Sequence, residues 1–323
     1  MSLTVNDETP LHEEAFRHEA LLYAGEDDFL ARTAAFVHDG VAAEEPVLVV
    51  VSARKIQRLR ARLGGDADAV YFADMAEVGT NPARIIPAWR DFVSEHAGGD
   101  RRLRGIGEPI WRGRSPAELI EAQRHESLLN VAFAGSPAWW LLCPYDTETL
   151  DPAVIDEAYR SHPFIMRDGS QWESAAYRGT EAEAAPFAAP LPEPPGQSPE
   201  LTFGSSAGSL HALRAFVSRH AANAGLAAER VADFVLAAHE VAANSLRHGG
   251  GHGTLRIWRD GDALVCEVRD RGHISDPLVG RERPAAERGG GAGLWVANQL
   301  CDLVQLRSLP TGTVVRLHLS LSR

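Results

Sequence analysis

The sequence has little cysteine and no long apolar run. Its 323 residues include three cysteines, which lie far apart at Cys143, Cys266 and Cys301, and no two have the spacing of metal ligands. An odd number of isolated cysteines is typical of a reducing cytoplasm. The longest apolar stretch, residues 131–143, is interrupted by glycine, serine and proline, and the N-terminus is acidic and polar. The sequence therefore predicts neither a membrane span nor a signal peptide.

Basic residues are also scarce, and lysine is almost absent. The chain has 32 basic and 44 acidic residues, which gives a net charge of −12, and Lys55 is its one lysine. An acidic chain is not a general binder of nucleic acid or membrane surfaces, because both attract basic patches. Any mechanism that needs a lysine must use Lys55.

A segment rich in proline, alanine and glutamate divides the chain. It occupies residues 180–200 and lacks apolar periodicity, which predicts an extended linker. Residues 1–179 and 201–323 are then expected to form two domains of ordinary size.

The first of these parts alternates apolar runs with helical patterns. Five such runs precede helical patterns: residues 20–25, 46–52, 69–74, 102–109 and 139–146. Continuous apolar strands predict a parallel sheet with helices on both faces, which is an α/β fold. The P-loop pattern G-x-x-x-x-G-K-[ST] is absent, and the turn at residues 24–28 has three carboxylates that would repel a triphosphate. This part is not expected to hydrolyse ATP.

The second part begins with two helical patterns, residues 209–225 and 228–250. A hairpin is predicted over 254–270 with its turn at Asp260-Gly261, and a second hairpin around Pro310-Thr311-Gly312 follows a short helix. Helices combined with hairpins predict an α+β layer, in which a mostly antiparallel sheet carries helices on one face.

One face of the second predicted helix is polar. Glu240, Asn244 and His248 follow one another at four-residue spacing, opposite an apolar stripe. Taken alone, this pattern indicates a solvated outer face. If the face instead lines a cleft, the glutamate can act as a base, the asparagine can hold a metal and the histidine can form a wall.

A carboxylate and a glycine lie at the end of the following strand. Asp270 can accept a hydrogen bond from an amino group there, and Gly272 lets a flat ring approach the backbone closely. Alone, this Asp-x-Gly pattern is only a turn.

Glycines then precede the short helix. Residues 289, 290, 291 and 293 are all glycine, followed by Leu294, so backbone N–H groups can converge on an anion at the helix N-terminus. The alternative is a flexible loop. Gly312 and Thr313 open the last strand, where the hydroxyl can reach a ligand or can simply belong to a hairpin.

The order of these four motifs resembles the ATP-binding fold shared by gyrase, histidine kinases and MutL, the GHKL or Bergerat fold. Within that superfamily, roughly residues 201–321 are most similar to the anti-sigma serine/threonine kinases. The resemblance implies a Bergerat-type α/β sandwich that binds ATP and Mg²⁺. A conventional histidine kinase carries a two-helix dimerisation segment before this domain, and here the proline-rich segment stands in that place.

The resemblance also implies a role for each motif residue. Glu240 is similar to the general base, Asn244 to the Mg²⁺ ligand, and Asp270 to the acceptor of the adenine amino group, with Gly272 leaving room for the base. The remaining residues implied to bind ATP are His248 as a wall, Gly289, Gly291 and Gly293 with Leu294 at the phosphate-binding lid, and Thr313 on the nucleotide side of the sheet.

Short patterns are also present in the first part. They are H-x4-Y from residue 18, GEPIW from 107, E-x3-N from 126, LCPYD from 142 and HP at 162. Together they resemble the sensory domain of DcmR-type regulators, called MEDS, which implies a degenerate RecA-like fold that senses a small molecule. Glu108, Trp111 and Tyr145 are predicted to line a pocket at the carboxyl edge of the sheet, although Trp111 is equally suited to the core. His18 and Cys143 could share a metal, but two ligands far apart in sequence are weak evidence.

The two resemblances imply a cytoplasmic anti-sigma factor controlled by its sensory domain and an unknown small-molecule signal. It would sequester a sigma factor and transfer phosphate from Mg-ATP to a serine or threonine of an anti-anti-sigma (STAS-type) partner. The alternative is a non-catalytic switch, in which ATP binding alone changes affinity for a regulator. A metabolic enzyme centred on the first part is disfavoured, because no nucleophile–base pair is found there. The oligomeric state, a homodimer included, is left open.

Overall fold

The computed structural model of the protein describes residues 16–98, 101–182, 189–284 and 292–322. Within this part of the chain lie two β-sheets, and the helices packed on each enclose hydrophobic cores. None of the helices described there is long and apolar enough to cross a membrane.

The first sheet has seven strands and is parallel except for one hairpin. Its strands are β1 (Arg17–Tyr23), β2 (Val47–Val51), β3 (Val70–Asp74), β4 (Leu103–Gly107), β5 (Trp139–Asp146), β6 (Phe164–Arg167) and β7 (Ser170–Glu173). Their order is β3-β2-β4-β5-β1-β6-β7, with β7 antiparallel to β6. The strand order brings β1 and β5 side by side, although more than a hundred residues separate His18 from its register partner Leu141.

Helices cover both faces of this sheet. They are α1 (Gly25–Ala42), α2 (Ala53–Leu63), α3 (Met75–Val78), α4 (Ile85–His96), α5 (Pro116–Ala132) and α6 (Pro152–Ser161), and a short α7 (Gly179–Ala182) follows. One core, around Trp89 and Trp139, lies under α4, α5 and α6, and the other, around Phe29 and Phe36, lies under α1 and α2. The predicted parallel α/β fold is confirmed.

The hairpin of β6 and β7 was not anticipated by the apolar pattern. Its strands are four residues long and mostly exposed, so they show no alternation. Asp168 and Gly169 form the two-residue loop with φ of 51° and 78°. An Asp-Gly pair is a strong signal for this kind of turn, because both positions need a positive φ.

The second sheet is antiparallel in every described pairing. Its strands are β8 (Glu200–Gly204), β9 (His252–Asp260), β10 (Ala263–Asp270), β11 (Leu303–Leu309) and β12 (Gly312–Ser320), in the order β11-β12-β10-β9-β8. Helices α8 (Ser209–Asn223), α9 (Ala228–His248) and α10 (Ala292–Leu300) pack on one face around Phe234. The α+β layer is confirmed.

Two details differ from the sequence prediction. The first hairpin turns at Gly261 and Asp262 rather than at Asp260-Gly261, because Asp260 still pairs with Ala263. The edge strand β8, which was not predicted, begins at Glu200, the last residue of the predicted linker, and carries the alternating apolar residues Leu201 and Phe203, of which Phe203 is buried.

The last part of that linker packs on the sheet face opposite α8, α9 and α10. Arg316 donates a hydrogen bond to the carbonyl of Pro192, and Arg269 lies 3.1 Å from the Glu193 carboxylate. Both arginines also bind the buried Glu267, which explains why charged residues occupy the centre of this face.

Candidate functional site

The polar face of α9 lies at one end of the helix–sheet layer. Its opposite face is buried, with Phe234, Ala237 and Val241 in the core. Glu240 and Asn244 are half-buried, one turn apart, so their side chains are neither in bulk water nor in the core. The predicted second face of the helix is therefore not a fully solvated surface.

The N-terminus of α10 lies directly against this face. A Cβ atom added at Gly293 would lie 2.9 Å from Asn244 Nδ2 and 3.1 Å from Glu240 Oε2. A side chain at this position would displace one of them, so glycine is what allows the helix to approach so closely. The free N–H groups in the first turn of a helix carry partial positive charge, which favours an anion beside them.

The carboxylate of Asp270 is held in one orientation at the end of β10. Its Oδ2 accepts a hydrogen bond from Ser245 Oγ at 2.6 Å, and its Oδ1 accepts one from the Gly272 N–H at 2.7 Å. Ser245 follows Asn244 on α9, so this bond connects the Asp270 region to the Glu240 and Asn244 region. Ser245 was not predicted as a site residue, because its position next to Asn244 is the one local signal that the sequence offers for it.

Gly272 has no room for a side chain. A Cβ there would lie 2.9 Å from both Asp270 Oδ1 and the His248 carbonyl oxygen. Thr313 is the register partner of Asp270 on β12, and its hydroxyl donates to the Gly272 carbonyl at 2.9 Å. Thr313 therefore fixes the loop that follows Asp270, a supporting contact that sequence alone did not show.

The structure brings together most of the predicted residues. Glu240, Asn244, Asp270, Gly272 and Gly293 form one connected group, and Thr313 supports it. His248 is exposed near the C-terminus of α9, whereas Leu294 is buried in the core beneath α10. Gly289 and Gly291 lie outside the described residues. The roles given to all of these residues stay predictions.

Comparisons with known proteins agree with this architecture. Residues 203–319 match the family model described as the histidine kinase-like ATPase domain, and residues 17–163 match the model of MEDS, the methanogen/methylotroph DcmR sensory domain. The chain joins a MEDS domain to a histidine kinase-like ATPase domain. ATP binding is implied by the ATPase family. No curated protein matches the chain.

A solved structure is also similar to this chain. It is the crystal structure of the RsbU and RsbW domains of Rv1364c from Mycobacterium tuberculosis, with 20% sequence identity and a TM-score of 0.30. The match covers 39% of this chain and 33% of that one, so this chain spans about a third of the length of that protein chain.

In the MEDS domain, the three residues of the predicted pocket have different neighbours. Glu108 accepts hydrogen bonds from Tyr23 at 2.8 Å and from Lys55 at 2.5 Å; burial raises the pKa of Glu108, and the Lys55 ammonium opposes that change. The side chain of Tyr145 is buried, and Trp111 lies 3.7 Å beneath the guanidinium of a nearby arginine. The pocket stays a prediction.

The MEDS domain contacts the ATPase domain through buried ion pairs. Glu121 on α5 lies 3.4 Å from Arg281 and 2.8 Å from Arg307, and all three side chains are buried. Burial, with the charges of Arg124 and Arg307, lowers the pKa of Arg281 to about 9. The Glu121 carboxylate opposes that shift, so it stabilises the charged form of a buried arginine from the other domain.

A second group of contacts holds the C-terminal end of α10. Asn81 donates to the Asn298 carbonyl at 3.0 Å, and Arg84 donates to the carbonyls of Asn298 and Cys301, each at 2.9 Å. Carbonyls at the end of a helix lack partners within the helix, so donors there stabilise it. The MEDS domain thus contacts the ATPase domain both before and after the predicted glycine-rich loop.

Proposed function

We propose that this protein is a cytoplasmic anti-sigma regulatory kinase. Its ATPase domain would bind Mg-ATP, sequester a sigma factor and phosphorylate a serine or threonine of an anti-anti-sigma (STAS-type) partner. The observation that carries the proposal is the contact of Gly293, at the N-terminus of α10, with Glu240 and Asn244. That contact joins a carboxylate, a carboxamide and an anion-binding helix terminus in one place.

The described residues fit an adenine nucleotide. Asp270 is anchored through Ser245 and Gly272, which leaves lone pairs of a fixed carboxylate for an amino group such as that of adenine. The absence of side chains at Gly272 and Gly293 lets the backbone pack closely against the carboxylate and carboxamide groups at both ends of the group. Preorganised groups of this kind lower the cost of ordering the site on binding.

The same group also fits a magnesium ion. The Asn244 carboxamide is half-buried beside the α10 N-terminus, and amide oxygens are ligands that Mg²⁺ accepts. A magnesium ion held there would supply positive charge that neutralises phosphate oxygens. Asn244 would hold it, while the N–H groups of the α10 N-terminus would bind phosphate oxygens directly.

Glu240 would act as the general base. Its carboxylate lies one turn before Asn244 and next to Gly293, close to where the terminal phosphate would be held. From this position it can accept the proton of an incoming serine or threonine hydroxyl as that oxygen attacks the phosphorus. Glu240 is half-buried, so the protein does not fully enclose its side chain.

Control by the MEDS domain would act through the interface. Residues 281–283 contact α4 and α5, and Glu282 and Arg283 line a cleft of about 490 Å³ together with α4 and the end of α5. A shift of α5 or of the Asn81 region on signal binding would move α10 and with it Gly293. Such a shift changes kinase activity only if the signal binds one arrangement better than the other.

The kinase is tested by transfer of γ-labelled phosphate from Mg-ATP to a panel of STAS-type proteins, using the full chain. Glu240→Gln should slow transfer by about 10²–10⁴-fold, while ATP binding stays within about twofold. Glu229→Gln, an exposed glutamate in the first turn of the same helix, is the matched control and should leave transfer unchanged.

Two results would contradict the proposal. If the Glu240→Gln protein still transfers phosphate at the wild-type rate, Glu240 is not the general base. Binding of Mg-ATP by the wild-type chain without transfer to any protein of the panel overturns the kinase and favours the alternative, a non-catalytic ATP-dependent switch.

A further inference from the structure

Four metal-ligating side chains meet inside the MEDS domain, away from the ATP site. His18 lies on β1, Glu126 on α5, Cys143 on β5, and His162 directly after α6. One ligand atom from each lies within 4.8 Å of the other three, and all four residues are buried. Sequence had indicated only the pair of His18 and Cys143, and the parallel pairing of β1 with β5 brings these two together.

The hydrogen bonds of His18 point its second nitrogen into the cluster. Asn130 donates through Nδ2 to the Ser161 carbonyl at 2.8 Å, which fixes its amide so that Oδ1 faces His18 Nδ1 at 3.0 Å. Because that oxygen can only accept, Nδ1 carries the proton. With the proton on Nδ1, the Nε2 atom of the neutral ring presents a lone pair to the cluster.

His162 is oriented in the same way. Its Nδ1 lies 2.9 Å from the carbonyl oxygen of Ala158, which again requires a proton on Nδ1. The Nε2 atom then faces Glu126 Oε2 at 3.1 Å. A backbone or amide oxygen behind each ligating histidine is the usual outer contact of a metal site, because it sets the tautomer and the ring direction.

The centre of the cluster is rich in lone pairs and poor in protons. Glu126 Oε2 lies 3.1 Å from the Nε2 atoms of both histidines, and Cys143 Sγ lies 3.3 Å from His18 Nε2. Among the described residues, Glu126 Oε1 and His162 Nε2 have no hydrogen-bond partner. Buried carboxylate and imidazole atoms that face one another in this way are costly unless a proton or a metal cation lies between them.

We propose that His18, Glu126, Cys143 and His162 bind one Zn²⁺ ion. Two imidazoles, a carboxylate and a thiolate form a donor set typical of zinc, and four protein ligands complete its tetrahedral shell. Zinc–ligand bonds of about 2.0–2.3 Å place neighbouring ligand atoms about 3.3–3.8 Å apart. Three of the six distances between ligand atoms, two of 3.1 Å and one of 3.3 Å, need a small expansion to reach this range, and the remaining pairs lie within 4.8 Å of one another.

Zinc binding has a chemical and a structural consequence. The Cys143 thiol would lose its proton to solvent as the Zn–S bond forms, and the other three ligands bind without releasing one. The ion would connect β1, β5, α5 and the end of α6. Helix α5 also carries Glu121, so the metal would fix the helix that contacts the ATPase domain. The site itself does not depend on the proposed kinase activity.

The metal content of the full chain tests the proposal. The protein is incubated with Zn²⁺, freed of excess metal by gel filtration, and analysed for zinc per chain. We expect one equivalent in the wild type and a loss of at least about 80% in Cys143→Ser and in His162→Gln. Cys266→Ser, a buried free cysteine of the ATPase domain, is the matched control and should retain the full equivalent.

A second readout keeps the proposal falsifiable if a variant folds poorly. Co²⁺ loaded in place of zinc should give the absorbance of a thiolate–cobalt bond in the wild type and in Cys266→Ser, but not in Cys143→Ser. Circular dichroism of each variant shows whether it is folded. A wild-type chain that retains no zinc, or zinc that is equally retained in folded Cys143→Ser and His162→Gln, would overturn the site.

Discussion

The polar cluster of the MEDS domain is buried, whereas the polar face of α9 in the ATPase domain is only partly covered. In the MEDS domain, His18, Glu19 and Glu126 are fully buried in the sheet and in the helix beside it. In the ATPase domain, Glu240 and Asn244 are half-buried at the open end of the helix–sheet layer. A buried polar group must find its partners inside the fold, whereas a half-buried one can exchange water for a ligand. The comparison therefore separates an internal polar cluster from a polar face that remains partly open to solvent.

The partners of the buried groups illustrate the difference. Glu19 accepts hydrogen bonds from Trp140 at 2.8 Å and from Arg17 at 3.2 Å, and Glu108 is paired with Lys55. Asp270 in the ATPase domain is also hydrogen-bonded, but its partners, Ser245 and Gly272, orient it and do not neutralise it. Its charge stays available for a donor from outside the protein.

The largest expected effect lies at the interface between the domains. Glu121→Ala leaves the buried Arg281 and Arg307 without their carboxylate, and we expect it to lower the free energy of unfolding by about 3–5 kcal/mol. Urea unfolding followed by circular dichroism measures the change. Glu118→Ala, on the same helix, removes only a bond of the capping box and should cost about 1 kcal/mol. An equal loss of unfolding free energy in the two variants would mean that the buried Glu121 carboxylate stabilises the protein no more than the Glu118 carboxylate does.

A smaller effect is expected from filling the space between α9 and α10. Gly293→Ala places a methyl group against Asn244 and Glu240, and overpacking of this kind costs about 1–3 kcal/mol. We expect Mg-ATP binding to weaken about tenfold, measured by calorimetric titration. Gly65→Ala is the matched control, because a Cβ there meets nothing within 4 Å. Unchanged Mg-ATP binding by the Gly293→Ala protein would show that the N-terminus of α10 is not part of the nucleotide site.

The smallest effect is expected at the exposed edge of the interface. Asp91 lies 2.7 Å from Arg283, and both side chains are more than half exposed. Asp91→Asn should lower the free energy of unfolding by less than about 1 kcal/mol, with a smaller effect at high salt. Urea unfolding at two salt concentrations measures this. A loss as large as that of Glu121→Ala would remove the distinction between buried and exposed pairs at this interface.

Local patterns were enough to predict much of the fold and part of the site. The five apolar runs of the MEDS domain are strands, because continuous burial leaves a signal in the sequence itself. The four-residue spacing of Glu240 and Asn244 also predicted their common face, since helix geometry alone sets it. The order of the motifs then predicted that the strand end with Asp270 and the helix after the glycines lie beside this face.

Contacts between distant segments could not be predicted in this way. Ser245 reaches Asp270 only because α9 packs on β10, and no local pattern records that packing. The cluster of His18, Glu126 and His162 depends on the strand order, which brings segments more than a hundred residues apart into contact. The interface of Glu121 with Arg281 requires the docking of two domains, which neither domain's own periodicity encodes.

Thermal stabilisation by Mg-ATP tests the central claim, that Asn244 and its neighbours form the nucleotide site, most directly. At about 100 times its Kd, Mg-ATP should stabilise the wild-type chain by about 2.7 kcal/mol and raise its Tm by several degrees. Asn244→Ala should abolish most of this rise, whereas Asn223→Ala, at the exposed end of α8, should keep it. An equal rise in the wild type and in folded Asn244→Ala, or no rise in the wild type, would contradict the account.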